Sequence, residues 1–483
     1  MKALLSEWRS DKLKTTVTVF WLLTVFFCFF GSTVLLVRLP GLPALYPFRV
    51  LLPVTTLLHL VWLIREKRNP WKTADFTQRT AYILCSVLLV YSTLSLTWAI
   101  DFEFTFTLWI TLCFDLVFFA LMIDLCSDKK RFVATVRCAL ITLLIHMVMG
   151  GIEVVEGGFF NTKFDEVFFF FGVPFASPSV STGNPNDYAM MLVFMLALML
   201  LYWAWHGYPG KKNWIPVLLI APVYGLIFTT LGRLCTLSFW ILMVPFVLYT
   251  LTSKERILRV LVPTVVLLSI IMAFLSYGSS IPVGQTKLRQ KPVPVSAEIE
   301  IPDLDLPMAE DPEGATVKPT AATSEALEQK AQIDEIRADM DSSGAVRLKL
   351  LLHALRCFID SKGMGVGLGN TAQLAKTTAE SRDGVWGIHC FLARMAADFG
   401  ILFLIPLLLI AFKMLQFGIA FTLREMKKRN WENAMTGALY LASVLIYPIA
   451  STAPGDAQNV LPMWLFMGSI VLFPVHVRQL GEK

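Results

Sequence analysis

The sequence predicts an all-α polytopic membrane protein: about twelve transmembrane helices, with a large, partly helical extracytoplasmic loop between the ninth and tenth. Three observations carry this expectation. Of 483 residues, 55% are hydrophobic and only 16% charged, and the mean hydropathy is +0.62; soluble domains are about 45–50% apolar and about 25% charged. Apolar runs recur along the chain, each near the ~20 residues that cross roughly 30 Å of hydrocarbon. The polar connections between those runs alternate in charge.

The runs lie near 17–37, 47–65, 80–99, 104–124, 131–150, 185–205, 214–230, 233–251, 257–276, 387–412, 432–450 and 460–477. The opening MKALLSEWRSDKLK is too long and polar for a cleavable signal, and the first run is a full span. Connections after even-numbered runs are basic: REKRNPWK (65–72), CSDKKR (126–131), GYPGKKN (207–213), SKER (253–256), LREMKKRN (423–430) and the tail VRQLGEK. Those after odd-numbered runs, such as WAIDFEF (98–104) and STAPGDAQN (451–459), carry few basic residues. Positive loops stay cytoplasmic, so both termini are expected on the cytoplasmic side and the odd loops outside. Runs seven and eight have almost no connection, the pattern of a hairpin broken within the membrane. The net charge of +6 is spread over short loops and gives no nucleic-acid footprint. Six of the eight cysteines lie in or beside apolar runs and read as small hydrophobes. Cys357 and Cys390 alone do not make a disulfide framework.

The loop covers about 277–386. Its first part, to 325, is rich in proline, alanine and acid (KPVPVSAEIEIPDLDLPMAEDPEGATVKPTAATSE) and poor in aromatics, the composition of a flexible segment. From 326 to 386 helical spacing returns: ALEQKAQIDEIRADM (326–340), then VRLKLLLHALRCFID (346–360), an amphipathic helix. GMGVGLGN (363–370) follows as a tight turn. No βαβ unit surrounds it, so it is not a dinucleotide fingerprint.

Ionisable side chains at membrane depth are costly and point to function. Asn184, Asn186 and Asp187 in STGNPNDYAM cap the start of the sixth run and present amide and carboxylate groups at the outer face. Arg233 stands between runs seven and eight with no acidic neighbour in sequence. Guanidinium forks onto phosphate oxygens, whereas snorkelling to headgroups is the bland alternative. Arg347 opens the amphipathic helix, where the helix dipole opposes a cation unless an anion is close; His353 and Arg356 lie farther along. His389 opens the tenth run, and Arg394 and Asp398, spaced i, i+4, can pair along its face. HExxH, GxSxG and paired CxxC patterns are missing from the outer loops. What gathers at the outer face is Arg233, Arg347 and His389, with Asp187 close in topology: two arginines to suit a diphosphate and one imidazole to suit a general base.

These motifs resemble the O-antigen ligase and O-antigen polymerase superfamily of multi-span glycosyltransferases, over roughly residues 180–475. STGNPNDYA looks like the family's Gly-Asn-Pro-Asn segment. Arg233 falls at the family's short arginine motif, though flanked by Gly232 and Leu234 rather than Ser and Gly. Arg347, the helix and GMGVGLGN, ending at Asn370, look like its arginine-helix-glycine block. His389 falls on the histidine of its His-Asn motif, with Cys390 in place of the Asn. The resemblance implies transfer of a glycan from an undecaprenyl-diphosphate carrier to a hydroxyl of a glycan or glycolipid acceptor, outside the cytoplasmic membrane and with inversion. It implies no metal and no cofactor. Arg233 and Arg347 would hold the diphosphate and His389 would act as base; Asn184, Asn186, Asp187, Arg356 and Asn370 are the candidate substrate contacts. Ligase and polymerase both fit. A lipid-glycan flippase or exporter would instead show paired halves and a charged central path, and a glycan receptor would not need Arg233 in the membrane hairpin.

Overall fold

A computed structural model describes residues 11–31, 45–156, 167–170, 173–206, 214–230, 232–277, 348–377, 388, 390–452 and 461–481. Of the expected flexible segment 277–325 all but Tyr277, together with the helix at 326–340, Arg347 and His389, lie outside the described residues.

The described helices follow one another in chain order. They are α1 Lys12–Cys28, α2 Pro47–Arg65, α3 Phe76–Ser95, α4 Phe102–Leu125, α5 Lys129–Glu156, α6 Pro185–Trp205, α7 Trp214–Thr229, α8 Arg233–Leu251 and α9 Val262–Tyr277. Next come α10 (348–360), α11 Asn370–Thr377, α12 Phe391–Phe399, α13 Ile401–Lys427, α14 Trp431–Ala450 and α15 Leu461–Gly481. Apart from a short antiparallel hairpin, β1 Val167–Phe170 with β2 Val173–Ala176, and a few single turns, the described elements are these helices. Eight of them, α2 to α6, α8, α13 and α14, are long and apolar enough to cross a membrane. The remaining expected spans correspond to the shorter α1, α7 and α9 and to the apolar stretch Leu461–Val477 of α15. The chain is a polytopic helical membrane protein.

Sequence dictates most helix boundaries. Asp11 caps α1, Asp75 and Gln78 form a capping box on α3, and Asp101 caps α4, each satisfying N–H groups that a helix start leaves unpaired. α8 has 19 residues and is apolar throughout, so the second arm of the expected broken hairpin is long enough to span alone. The described basic connections gather at one end, tied by ion pairs such as Arg68–Asp124 (2.7 Å) and Arg256–Glu432. The opposite end carries α10 to α12 and is called here the loop end. At the centre runs α6, with 94% of its apolar window buried, against α5, α7, α8, α14 and α15. Its uniformly apolar sequence is that of a helix hidden on every side.

One expected span is interrupted. Instead of a single helix over 387–412, α12 stops at Phe399 and α13 starts at Ile401, with Gly400 between them at φ +62°. The glycines of GMGVGLGN explain the break. Gly363, Gly365, Gly367 and Gly369 all take positive φ, which residues with a Cβ rarely do, so this loop folds flat against the interruption. Val366 N–H donates to Ala397 O and Gly367 N–H to Asp398 O, both at 2.9 Å, while Ile401 N–H donates to Gly363 O at 2.8 Å. The loop thereby caps the end of one helix and the start of the next. A Cβ at Gly365 or Gly400 would collide with the facing backbone. The turn expected from the glycines is present, and its function here is close backbone approach.

α10 has two apolar faces. Leu350, Ala354 and Cys357 are buried in a cluster with Ala375 of α11, Ile388 and Ala397 of α12. Leu348, Leu351, Leu352, Leu355 and Ile359 recur at helical spacing on the other side, and all are exposed.

Candidate functional site

The start of α6 is built from a loop that other helices hold in place. Buried Glu153 of α5 accepts from the N–H groups of Ser179 (3.0 Å) and Val180 (2.8 Å). Val180 sits at φ +45°, a costly conformation for a β-branched residue, so this carboxylate secures a strained turn. Ser181 donates to Phe29 O at 2.6 Å, and His146 Nε2 lies 2.9 Å from both that carbonyl and the Ser181 hydroxyl. The Asn184 side chain then accepts from Asn186 N–H (2.8 Å), Pro185 takes the first helical position, and Asp187 lies buried in the first turn. A carboxylate there complements the positive end of the helix dipole.

α8 begins beside it. A Cβ on Gly232 would lie 3.3 Å from the Ala189 Cβ, so the glycine lets the two helix starts approach, and Asp187 is within electrostatic reach of Cys235. Arg233 is the first residue of α8 and is exposed. It has no acidic residue in its own first turn, and Gly232 offers no side-chain cap. α8 packs along α14, and the two run antiparallel because Arg256, beyond the far end of α8, meets Glu432 at the start of α14. Arg233 therefore stands at the level of Ala450. The other side of that same end of α14 receives the segment around residue 389: Phe391 N–H donates to Ser451 O at 3.3 Å, and Cys390 N–H to Ile388 O at 2.9 Å.

Of the sequence candidates, Asn184, Asn186, Asp187 and Arg233 thus share one corner of the loop end, and the neighbours of His389 border the same helix end. Leu350, three residues beyond Arg347, shares the buried cluster of Ile388. Arg356 points elsewhere, exposed on α10 among Leu352, Leu355 and Ile359. Asn370 is buried and works within the protein: its Oδ1 accepts from Ile100 N–H (3.0 Å), and its Nδ2 donates to Val366 O (2.8 Å) and Trp98 O (3.3 Å). With Tyr91 donating to Met364 O and Gly365 O, each at 3.0 Å, Asn370 stitches the glycine loop to the end of α3.

The pair expected from Arg394 and Asp398 is loose, with Nε 3.9 Å from Oδ2. The Asp398 carboxylate chiefly serves the glycine loop, accepting from Gly369 N–H (3.0 Å), Thr371 N–H (3.3 Å) and the Thr371 hydroxyl (2.5 Å). It caps α11 from 27 residues away.

Arg49 and Asp115 belong to no sequence motif, yet they line a cavity of about 410 Å³ at the loop end together with Asp187. The available signal was Asp115 itself, an acid deep inside an apolar run; its partner Arg49 comes from a different helix.

A helical polytopic membrane protein with polar groups collected at one end is the class these features define. No family model matches the chain. Over 130 residues it is 28% identical to the teichuronic acid biosynthesis protein TuaE of Bacillus subtilis (strain 168), a match covering 27% of this chain and 26% of that protein.

Proposed function

We propose that the chain is a membrane glycosyltransferase of cell-envelope polysaccharide biosynthesis. It transfers a glycan from an undecaprenyl-diphosphate carrier to an acceptor hydroxyl at the outer face of the cytoplasmic membrane, in the manner of an O-antigen ligase or polysaccharide polymerase. The observation that carries this reading is Arg233. It is an exposed cation on the uncapped start of α8, where the helix dipole disfavours it unless an anion arrives. It also borders the helix end that receives the residues flanking His389. The similarity to TuaE over part of the chain supports polysaccharide biosynthesis as the setting.

In this mechanism Arg233 and Arg347 fork onto the diphosphate and neutralise charge as it leaves. His389 takes the acceptor hydroxyl proton. The oxygen attacks the anomeric carbon from the opposite face, the bond from that carbon to the diphosphate oxygen breaks, and undecaprenyl diphosphate departs with the electron pair. The anomeric configuration inverts, and the proton held by His389 passes to water. No metal is required by this scheme.

Movement of the glycan without chemistry would need a continuous polar path. The cavity at the loop end and a second, about 400 Å³, at the basic end lined by Lys14, Arg68, Asp124 and Arg131 lie over opposite ends of α1 and α4. Between them pack the buried rings of Trp21, Phe48 and Phe118, with Trp21–Phe118 centroids 5.3 Å apart and Phe48–Phe118 centroids 5.7 Å apart.

The test is incubation of the purified protein with undecaprenyl-diphosphate oligosaccharide, with and without a separate acceptor, reading product lengths. A ladder identifies a polymerase and one added block a ligase. Absence of any covalent product under both conditions refutes the transferase reading.

A further inference from the structure

The cavity at the loop end is walled by Arg49 of α2, by α4, by the turn before α6 and by the start of α15. Thr107, Leu108, Thr111, Phe114 and Asp115 of α4 all face it. At a rise of ~1.5 Å per residue this is a stripe about 12 Å long, so the cavity reaches well below the helix end. Asp115 is 1% exposed, and its Oδ2 accepts no hydrogen bond from the described residues. Its polar neighbours are Arg49 and the Trp464 indole. A buried carboxyl oxygen in this state is costly unless a donor reaches it, and it lines an open volume where a donor can.

The lining specifies the donor's chemistry. Two carboxyl groups, Asp115 and Asp187, stand against one guanidinium, Arg49, so a phosphate finds no net attraction. An apolar ligand would leave the buried Asp115 Oδ2 without a donor. The Thr107 and Thr111 hydroxyls donate to carbonyls one turn back, at 3.0 and 3.1 Å, which leaves their lone pairs to accept. Arg49 lies 5.0 Å over the Tyr46 ring and 6.0 Å from the Phe114 ring centre, so aromatic faces sit beside the charges. Carboxyls that accept, a guanidinium that donates, hydroxyls and flat apolar faces together match a pyranose ring, with its hydroxyls around the edge and C–H groups on its faces. The volume lies within the range of small-molecule sites, about 300–1,000 Å³.

We propose that this cavity is a sugar-binding subsite, with the Asp115 and Asp187 carboxyls accepting from sugar hydroxyls and Arg49 donating to them. The assignment rests on the glycan-transfer reading for its ligand class. It places a sugar next to Arg233, because Asp187 belongs both to the cavity wall and to the corner where α8 begins.

The experiment uses the full chain in lipid nanodiscs and saturation-transfer NMR with three probes: methyl glucopyranoside, methyl N-acetylglucosaminide and methyl glucuronide. At least one should bind. Asp115→Asn and Arg49→Gln should each weaken that binding at least about tenfold, and Thr111→Trp, which fills the cavity from a less buried position, should abolish it. Circular dichroism and gel filtration identify any variant that has not folded, and Thr111→Trp carries the test if the charge variants fail there. Binding of none of the probes, binding insensitive to the folded variants, or Arg49-dependent binding of inorganic pyrophosphate would each overturn the assignment. Because the readout needs no turnover, a failed transferase assay with intact sugar binding removes only the reaction, whereas transfer with the acceptor KM unchanged in folded Thr111→Trp removes only the subsite.

Discussion

Asp398 shows how much one side chain organises at the loop end. Its two oxygens take three donors from the glycine loop and the start of α11, and it neighbours Arg394. Asp398→Ala strands those buried donors at about 1–3 kcal/mol for each group left unsatisfied. The thermal unfolding midpoint in detergent should fall by several degrees, and Asp398→Asn, which keeps the shape and one acceptor, should lose less; equal midpoints for all three proteins would contradict the capping role. The proposed transfer is tested most directly at His389 and Arg233. His389→Ala should lower transfer by about 10²–10⁴-fold, the usual worth of a general base, while carrier binding persists. Arg233→Lys should fall about 10²-fold, the scale of losing one positioned donor, since a point charge does not reproduce a fork. Near-normal turnover of the lysine variant would favour snorkelling. Asp398 also marks a limit of sequence reading: i, i+4 spacing pointed to Arg394, while its main partners lie 27 residues or more upstream in the chain.

At the scale of elements, apolar runs made the helices legible because lipid and a lipid-like core demand the same composition. The break at Gly400 was less legible, because a single glycine inside an apolar run is compatible with a continuous helix, and only the backbone of Gly363–Gly367 packing into the gap decides otherwise. The adjacency of α6 and α8 depends on Gly232 meeting Ala189, a contact that neither motif announces. The segment 290–320 has the composition of a chain without a core. Its deletion should leave expression, detergent-extracted monodispersity and transfer within about twofold of the intact protein; loss of folding would assign that segment a structural role.

Across the whole molecule, the alternation of basic and non-basic connections is an expectation about sidedness. Among the described residues, Arg68 and Arg256 of two basic connections pair with Asp124 and Glu432, while Asn184, Asn186, Asp187 and Arg233 share a corner at the loop end. The polar cavity there was not legible, because it needs Arg49, Asp115 and Asp187 from three separate helices. Such convergence is a property of packing rather than of any local pattern.

α10 bears on how this protein can be handled. A helix that buries Leu350, Ala354 and Cys357 against its neighbours and still exposes five large aliphatic side chains behind them is ill suited to water on either side. Those side chains are exposed among the described residues, and a loop fragment cut from the membrane-spanning helices is expected to behave poorly in water. Residues 326–386 produced alone should sediment or need detergent to stay dispersed, since contiguous exposed apolar surface drives association; a monodisperse, detergent-free monomer would show that some other part of the segment shields the leucines. Reconstitution of the intact chain, rather than dissection, is the route to its chemistry.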